Sequence, residues 1–244
     1  MMLDLPDGAC LHYLASGDTA KPALLLWHGA RCTLRQWDHV IEELEQTFYV
    51  LRFDIRGAGQ SIGAGDSAYD FETYAEDVEQ LLAHLNIERC HIWSMAWGSR
   101  AALAFCALKP MRVISAALFD LSIGQADVEA QIAGNKAARE KQKAAGYIAP
   151  PPPAGWNDHQ DDETLKKSLG AAAKADLRAL ARLIHTPVLI ATGDHDPNLE
   201  SSRAAQALMY DAALFEAPVC WARILPLSIT DAFFWGAESY DLGV

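Results

Sequence analysis

The sequence predicts an α/β protein built on a mostly parallel sheet flanked by helices, and three observations carry that expectation. Short apolar runs rich in branched and aromatic residues alternate with longer stretches of helical period, which is the pattern of successive βαβ units. The runs are continuously apolar rather than alternating, as strands covered on both faces require. At 244 residues, 51% of them hydrophobic and 21% charged, the chain is long enough for one large core.

The elements follow in order. Residues 11–14, after the Asp7-Gly8 turn, belong to an opening hairpin, and six strands are expected at 22–27 (PALLLW), 48–53 (FYVLRF), 89–93 (RCHIW), 112–119 (RVISAALF), 187–191 (PVLIA) and 212–217 (AALFEA). Between them, 72–85 places Tyr74, Val78, Leu81, Leu82 and Leu85 along one stripe, the mark of a helix packed on a sheet. Residues 97–108 and 201–209 read the same way, and an ordinary terminal helix is expected at 231–242. The stretch 125–183 breaks the rhythm: it is rich in Ala and Lys, has no strand signal and carries the proline run Pro150 to Pro153. It reads as a helical cap inserted into a core formed by 1–124 and 184–244, with the prolines as a stiff spacer or, less naturally, a partner-binding ligand.

Charge and cysteine usage narrow the function classes. Lys and Arg total 20 against 32 Asp and Glu, a net charge of −12, which repels phosphate backbones and anionic lipid, so neither nucleic acid nor membrane is an expected partner. No basic, apolar leader opens the chain and no apolar run approaches the roughly 20 residues of a membrane span, so a soluble, cytoplasmic protein is expected. The five cysteines are scattered, without a C-x-x-C pair, and read as free thiols in a reducing compartment. Cys90 and Cys106 sit in apolar segments as core residues, while Cys32 and Cys220 fall near the mouth of the site described next.

Three local patterns stand in a telling order. Trp27-His28-Gly29-Ala30 follows the first parallel strand, Asp54-Ile55-Arg56-Gly57-Ala58-Gly59-Gln60-Ser61 follows the next, and RCHIWSMAWGSRAALAFCAL over 89–108 is a strand, a sharp turn and a helix. Together they resemble the α/β-hydrolase fold superfamily, in particular its small lid-containing esterases and C–C hydrolases, with its H-G turn, its D-x-R-G-x-G-x-S loop and its G-x-S-x-G nucleophile elbow. The elbow needs small residues two before and two after its apex, and only one register supplies them: Ser94 and Gly98 flank Ala96. Ser94 or Ser99 at the apex would put Ile92 or Trp97 on the flank. The resemblance therefore puts an inert Ala96 at the nucleophile position, with the triad acid at Asp196 of the run Gly193-Asp194-His195-Asp196. A metal reading of Asp194, His195 and Asp196 lacks further ligands, and neither metal nor cofactor is expected. No histidine follows His195, and Trp221 stands where the family carries its base.

What the resemblance leaves is an oxyanion hole from the N–H groups of Ala30 and Trp97, together with Asp196, whose carboxyl burial would raise toward general acid or base work. Trp27, His28, Arg31, Trp93 and Trp221 are candidate ligand contacts, although indoles also fill cores. Arg31 or Arg100 is placed to meet an acidic substituent, or else to be solvated at the surface. The implied function is a non-hydrolytic protein that binds a small apolar or aromatic molecule, or performs cofactor-free lyase or cyclase chemistry. The alternative is a serine ester or C–C bond hydrolase whose serine has been changed to alanine. Self-association into a homo-oligomer is left open.

Overall fold

A computed structural model describes residues 1–64, 69–124, 128–146 and 151–218. Cys220, Trp221 and the terminal helix expected at 231–242 lie outside these residues. The described strands are β1 (Met2–Asp4), β2 (Cys10–Ser16), β3 (Ala23–Trp27), β4 (Tyr49–Phe53), β5 (Cys90–Met95), β6 (Val113–Phe119), β7 (Val188–Gly193) and β8 (Ala212–Ala217). They form one sheet in the order β1-β2-β4-β3-β5-β6-β7-β8, in which only the β1–β2 and β2–β4 pairs are antiparallel. Each expected strand is present, some displaced by one or two residues. β1 was missed, because three residues carry no readable period.

The described helices are α1 (Ile41–Leu44), α2 (Phe71–His84), α3 (Trp97–Leu108), α4 (Val128–Ala144), α5 (Asp162–Leu169), α6 (Leu177–Ala181) and α7 (Leu199–Gln206). β3 explains why its run is unbroken: Leu25 and Trp27 pack toward the core shared with α2 and α3, whereas Leu24 and Leu26 join Trp37, Ile41 and Leu44 on the other face. The period-2 alternation persists, but both faces are dry. α2 starts where the side chain of Asp70 accepts a hydrogen bond from the Thr73 N–H, and its stripe of Tyr74, Val78, Leu81 and Leu82 is buried.

A buried charge pair ties α2 to the loop after β4. Arg56 donates from Nε and Nη2 to Asp77 at 2.9 and 2.5 Å, and from Nη1 to Asp7 at the hairpin turn. A planar guanidinium meets such carboxylates with parallel hydrogen bonds, which holds three segments in one geometry.

The stretch between β6 and β7 holds α4, α5 and α6 and no strand among its described residues. Leu165, Ala171, Leu177 and Ala181 from this stretch are buried in the same core as α2 and α3, so its second half is part of the main body. α4 is different: most of it is exposed, and it meets the loop after β7, where Gln142 Nε2 donates to His195 Nε2 at 3.0 Å. Gly134 permits the approach, since a Cβ there would stand 2.5 Å from Cβ of Pro197. The proline segment lies against the loop after β3: Thr33 donates through its N–H to Trp156 O and through its hydroxyl to Gly155 O, at 2.7 and 2.8 Å. None of the described helices is long and apolar enough to cross a membrane.

Candidate active site

The site is built from the ends of parallel strands. In open α/β sheets, ligands bind at the carboxyl ends of the strands, where loops converge and helix N-termini present unpaired N–H groups. Here β3, β5, β6 and β7 end side by side, in an order set by the register of the sheet.

Ala96 stands at the turn between β5 and α3 with φ 52° and ψ −112°, a left-handed backbone that an alanine rarely adopts. Its N–H donates to Phe119 O at 2.8 Å, which pins the turn to the end of β6. Gly98 is required just beyond it, because a Cβ there would run into the carbonyl oxygens of His28 and Trp27. Ser94 and Ser99 are fully buried, and their hydroxyls are spent on structure: Ser94 Oγ donates to Ser99 Oγ at 3.0 Å and Ser99 Oγ to Phe119 O at 2.7 Å. Neither is available as a nucleophile.

Trp97 is the first residue of α3, where a helix N–H has no acceptor within its own helix. Its indole turns away from the turn: Nε1 donates to Leu169 O at 3.0 Å, and the ring packs edge-on against Phe71 and Tyr74. Across the sheet, the H-G turn is braced by Gln36, whose Oε1 accepts the Gly29 N–H at 2.9 Å. Ala30 and Arg31 after it are exposed, with Arg31 at φ 57°.

Two carboxylates stand on this rim. Asp196, half-buried in the turn after β7, donates its N–H to Gly193 O at 3.0 Å and accepts the Asn198 N–H at 2.7 Å. Burial lifts its carboxyl above the ordinary carboxylate value, against the pull of Asn198 and the field of His195. Asp120, the residue after β6, has φ 51°, and its N–H donates to Ala191 O at 2.8 Å. Burial, and then the negative charge of Asp196, push its carboxyl up to about 7. Sequence reading passed over Asp120, although it directly follows the end of a predicted parallel strand, and that placement was the available signal.

Several expected ligand contacts prove to be parts of the core. Trp27 is fully buried against Phe53 and Phe105, and Trp93 is buried against Trp37 and Phe119. An indole with no exposed face cannot meet a ligand, so these two are corrected to packing residues. His28 is corrected as well: at 1% exposure it spends both ring nitrogens on the backbone, Nδ1 donating to Gly29 O at 2.9 Å and Nε2 accepting the Ile55 N–H at 3.1 Å. Burial holds its pKa below the ordinary imidazole value, so it stays neutral. Arg100 is buried rather than solvated, donating to Ser122 Oγ and Gly124 O at 3.0 and 2.6 Å just beyond Asp120. The thiol of Cys32 is pushed up to about 11 by burial, which removes it as a thiolate nucleophile. His195 donates through Nδ1 to Asp194 at 2.8 Å. Trp221, the residue at the histidine position, lies outside the described residues.

Asp54, the first residue of the loop after β4, is a structural carboxylate. It accepts from His12 Nδ1 at 2.8 Å and from the N–H groups of Leu34 and Gln60 at 2.7 and 3.0 Å. Burial raises its pKa, but these hydrogen bonds, that of His12 first, outweigh burial and hold it below the ordinary value. A cavity of about 620 Å³ opens beside it, between His12, Thr33, Gln60 and His159; its walls do not include Ala96, Asp120 or Asp196.

Comparison with known proteins places this architecture. Residues 22–146 match the family model described as the alpha/beta hydrolase fold. Among curated relatives, epoxide hydrolase 4 of Mus musculus is 28% identical over 109 residues, 44% of this chain and 30% of its own length. Fluoroacetate dehalogenase of a Burkholderia species is 36% identical over 104 residues, 41% of this chain and 34% of its own. The match thus spans about a third of the length of these relatives. Among solved structures, the enol-lactonase of Burkholderia xenovorans LB400 superposes with a TM-score of 0.77 at 22% identity, covering 96% of this chain and 99% of that one. A hydrolase from Pseudomonas aeruginosa PA01 gives 0.75 at 24%, with 96% of each chain covered.

Proposed function

Because this chain belongs to the α/β-hydrolase fold family, we propose that it hydrolyses a small ester or lactone by direct addition of water, with no acyl-enzyme intermediate. The carrying observation is Ala96: the turn that presents a nucleophile in this fold keeps its left-handed backbone and its docking onto β6, yet ends in a methyl group. A methyl group cannot attack a carbonyl, so any attacking atom must come from solvent. The donor at the start of α3 is retained, and an N–H aimed at a developing oxyanion supplies on the order of 3 kcal/mol of transition-state stabilisation. Asp196, with its raised carboxyl pKa, is suited to take a proton from water.

This reading departs from the non-hydrolytic function suggested by the replaced serine and histidine. The curated relatives include proteins named as epoxide hydrolases and a dehalogenase, and one structural neighbour is named as an enol-lactonase; these names favour hydrolysis over binding alone. Ester and lactone carbonyls are the substrates that the backbone donor fits.

The test is a stopped-flow assay of the unmodified chain with a p-nitrophenyl ester, an alkyl ester, a lactone and an epoxide. Steady turnover of the carbonyl substrates from the first cycle, without a burst, is expected. A burst equal to the enzyme concentration, turnover of the epoxide alone, or no rate above background would each overturn the reading.

A further inference from the structure

The cavity beside Asp54 plays no part in the hydrolytic reading, yet its walls are firmly built. One side is β2 with the loop after β4, and the other is the loop after β3 with the segment 154–160. Thr33 holds that segment through Trp156 and Gly155, and the Gln160 N–H donates to Gly59 O at 3.2 Å. His159 is a strut between the walls: Nδ1 accepts the Gly59 N–H at 2.9 Å and Nε2 donates to Arg31 O at 3.1 Å, which uses both ring nitrogens.

His12 is held as firmly but keeps one nitrogen in reserve. Its N–H donates to Ser61 Oγ at 2.8 Å, and its carbonyl accepts the Asp54 N–H at 2.9 Å. Asp54, held below the ordinary carboxylate value, is ionised and can only accept, so the proton of the 2.8 Å contact between the two side chains sits on His12 Nδ1. Nε2 of the neutral ring then carries a bare lone pair, oriented by a carboxylate on the far side of the imidazole. His12 is 8% exposed and borders the cavity, and Nε2 has no partner among the described residues. A nearly buried acceptor left without a hydrogen is costly unless something else supplies one.

The rest of the wall decides what that is. The Asp158 carboxylate also has no partner among the described residues, whereas the Arg35 guanidinium is engaged by Asp38 at 3.5 Å. Gln60 and Gln160 can donate or accept. The free capacity is weighted toward acceptors and negative charge, so the cavity suits a donor that is also a cation.

We infer that this cavity is a second binding site, taking the ammonium group of a small primary amine on His12 Nε2, with Asp54 as the positioning residue that fixes the ring. Its walls include neither Ala96 nor Asp196, so it stands or falls apart from the hydrolytic reading.

The test is an NMR titration of the unmodified chain at pH 8 with three probes of one carbon skeleton: n-butylamine, 1-butanol and butyrate. Saturable shifts of the amides in 33–38, 59–60 and 154–160 are expected with the amine, about tenfold weaker binding of the alcohol and no saturable binding of butyrate, tenfold being the scale of one hydrogen bond to a charged group. In the nitrogen spectrum of the histidine rings, His12 should carry its proton on Nδ1, and Nε2 alone should move as amine is added. His12→Asn can still donate an amide hydrogen to Asp54 but has nothing in the place of Nε2; it should bind the amine at least about tenfold more weakly at an unchanged net charge. Equal affinity for amine and alcohol, undiminished amine binding by His12→Asn, or shifts spread over the acidic surface and lost in about 0.15 M salt would each overturn the site. Should that variant fail to fold, the ring spectrum of the unmodified chain decides: a proton on Nε2, or an Nε2 signal that the amine leaves in place, overturns it equally.

Discussion

At the scale of single residues, Ala96 was legible and Asp120 was not, for the same physical reason. Backbone crowding restricts the flanks of the sharp turn to small residues, and that restriction is written in the sequence as Ser94 and Gly98. Asp120 carries only the weaker mark of standing directly after a predicted strand, and its place beside the loop that holds Asp196 depends on the pairing of β6 with β7. The tryptophans misled because an indole is equally at home in a core and in a pocket. Asp120 also predicts a pH effect on stability. Its folded pKa lies above the unfolded value, so the native state binds this proton more tightly; the contribution is fully present below the ordinary carboxylate range and is lost as pH rises through about 7. Asp120→Asn removes the buried charge that accumulates above that point. Thermal melts at pH 8 should show the variant more stable than the parent by about 2 kcal/mol, or roughly 4–8 °C, with little difference at pH 4. A variant equally or less stable at pH 8 would contradict the buried, charge-repelled setting of Asp120.

At the scale of elements, strands and long helices were readable because apolar periodicity needs several residues to declare itself. α2 and α3 had them; β1, α1 and α6, with three, four and five residues, did not. α4 presents a different case, since its place in the fold depends on a glycine. Taken alone, Gly134→Ala should stabilise a helix interior by about 0.5–1 kcal/mol through its better propensity. The added Cβ, however, meets the rigid ring of Pro197 at 2.5 and 2.9 Å, and overpacking of this kind costs about 1–3 kcal/mol. The clash wins on these magnitudes. Hydrogen exchange should report faster opening of residues 128–144 and of the 194–198 loop in Gly134→Ala, with the sheet amides unchanged; slower exchange in α4 would mean that propensity prevails and that the helix is not seated on Pro197.

At the scale of the molecule, the order of motifs along the chain was enough to identify the fold, because each motif sits where one strand hands over to the next loop. The stretch 125–183 was harder to read: its helices carry no signal for which of them leave the body of the protein. Leu165 and Leu177 are buried among α2 and α3, Tyr74 donates its hydroxyl to Ser168 at 2.9 Å, and Trp97 holds Leu169. Burying two leucines contributes about 3–6 kcal/mol, a large part of the roughly 5–15 kcal/mol that keeps a domain folded. Much of α4, by contrast, faces solvent, and Ala138 is its one described buried apolar residue. Two deletions should therefore behave differently. Replacing 128–144 by a short Gly/Ser linker leaves a cooperative melt within a few degrees of the parent, whereas replacing 125–183 strips the core and abolishes the cooperative transition. A folded, cooperative product from the longer deletion would show the whole stretch to be a detachable cap, and would break the path by which Leu169 is held against the start of α3.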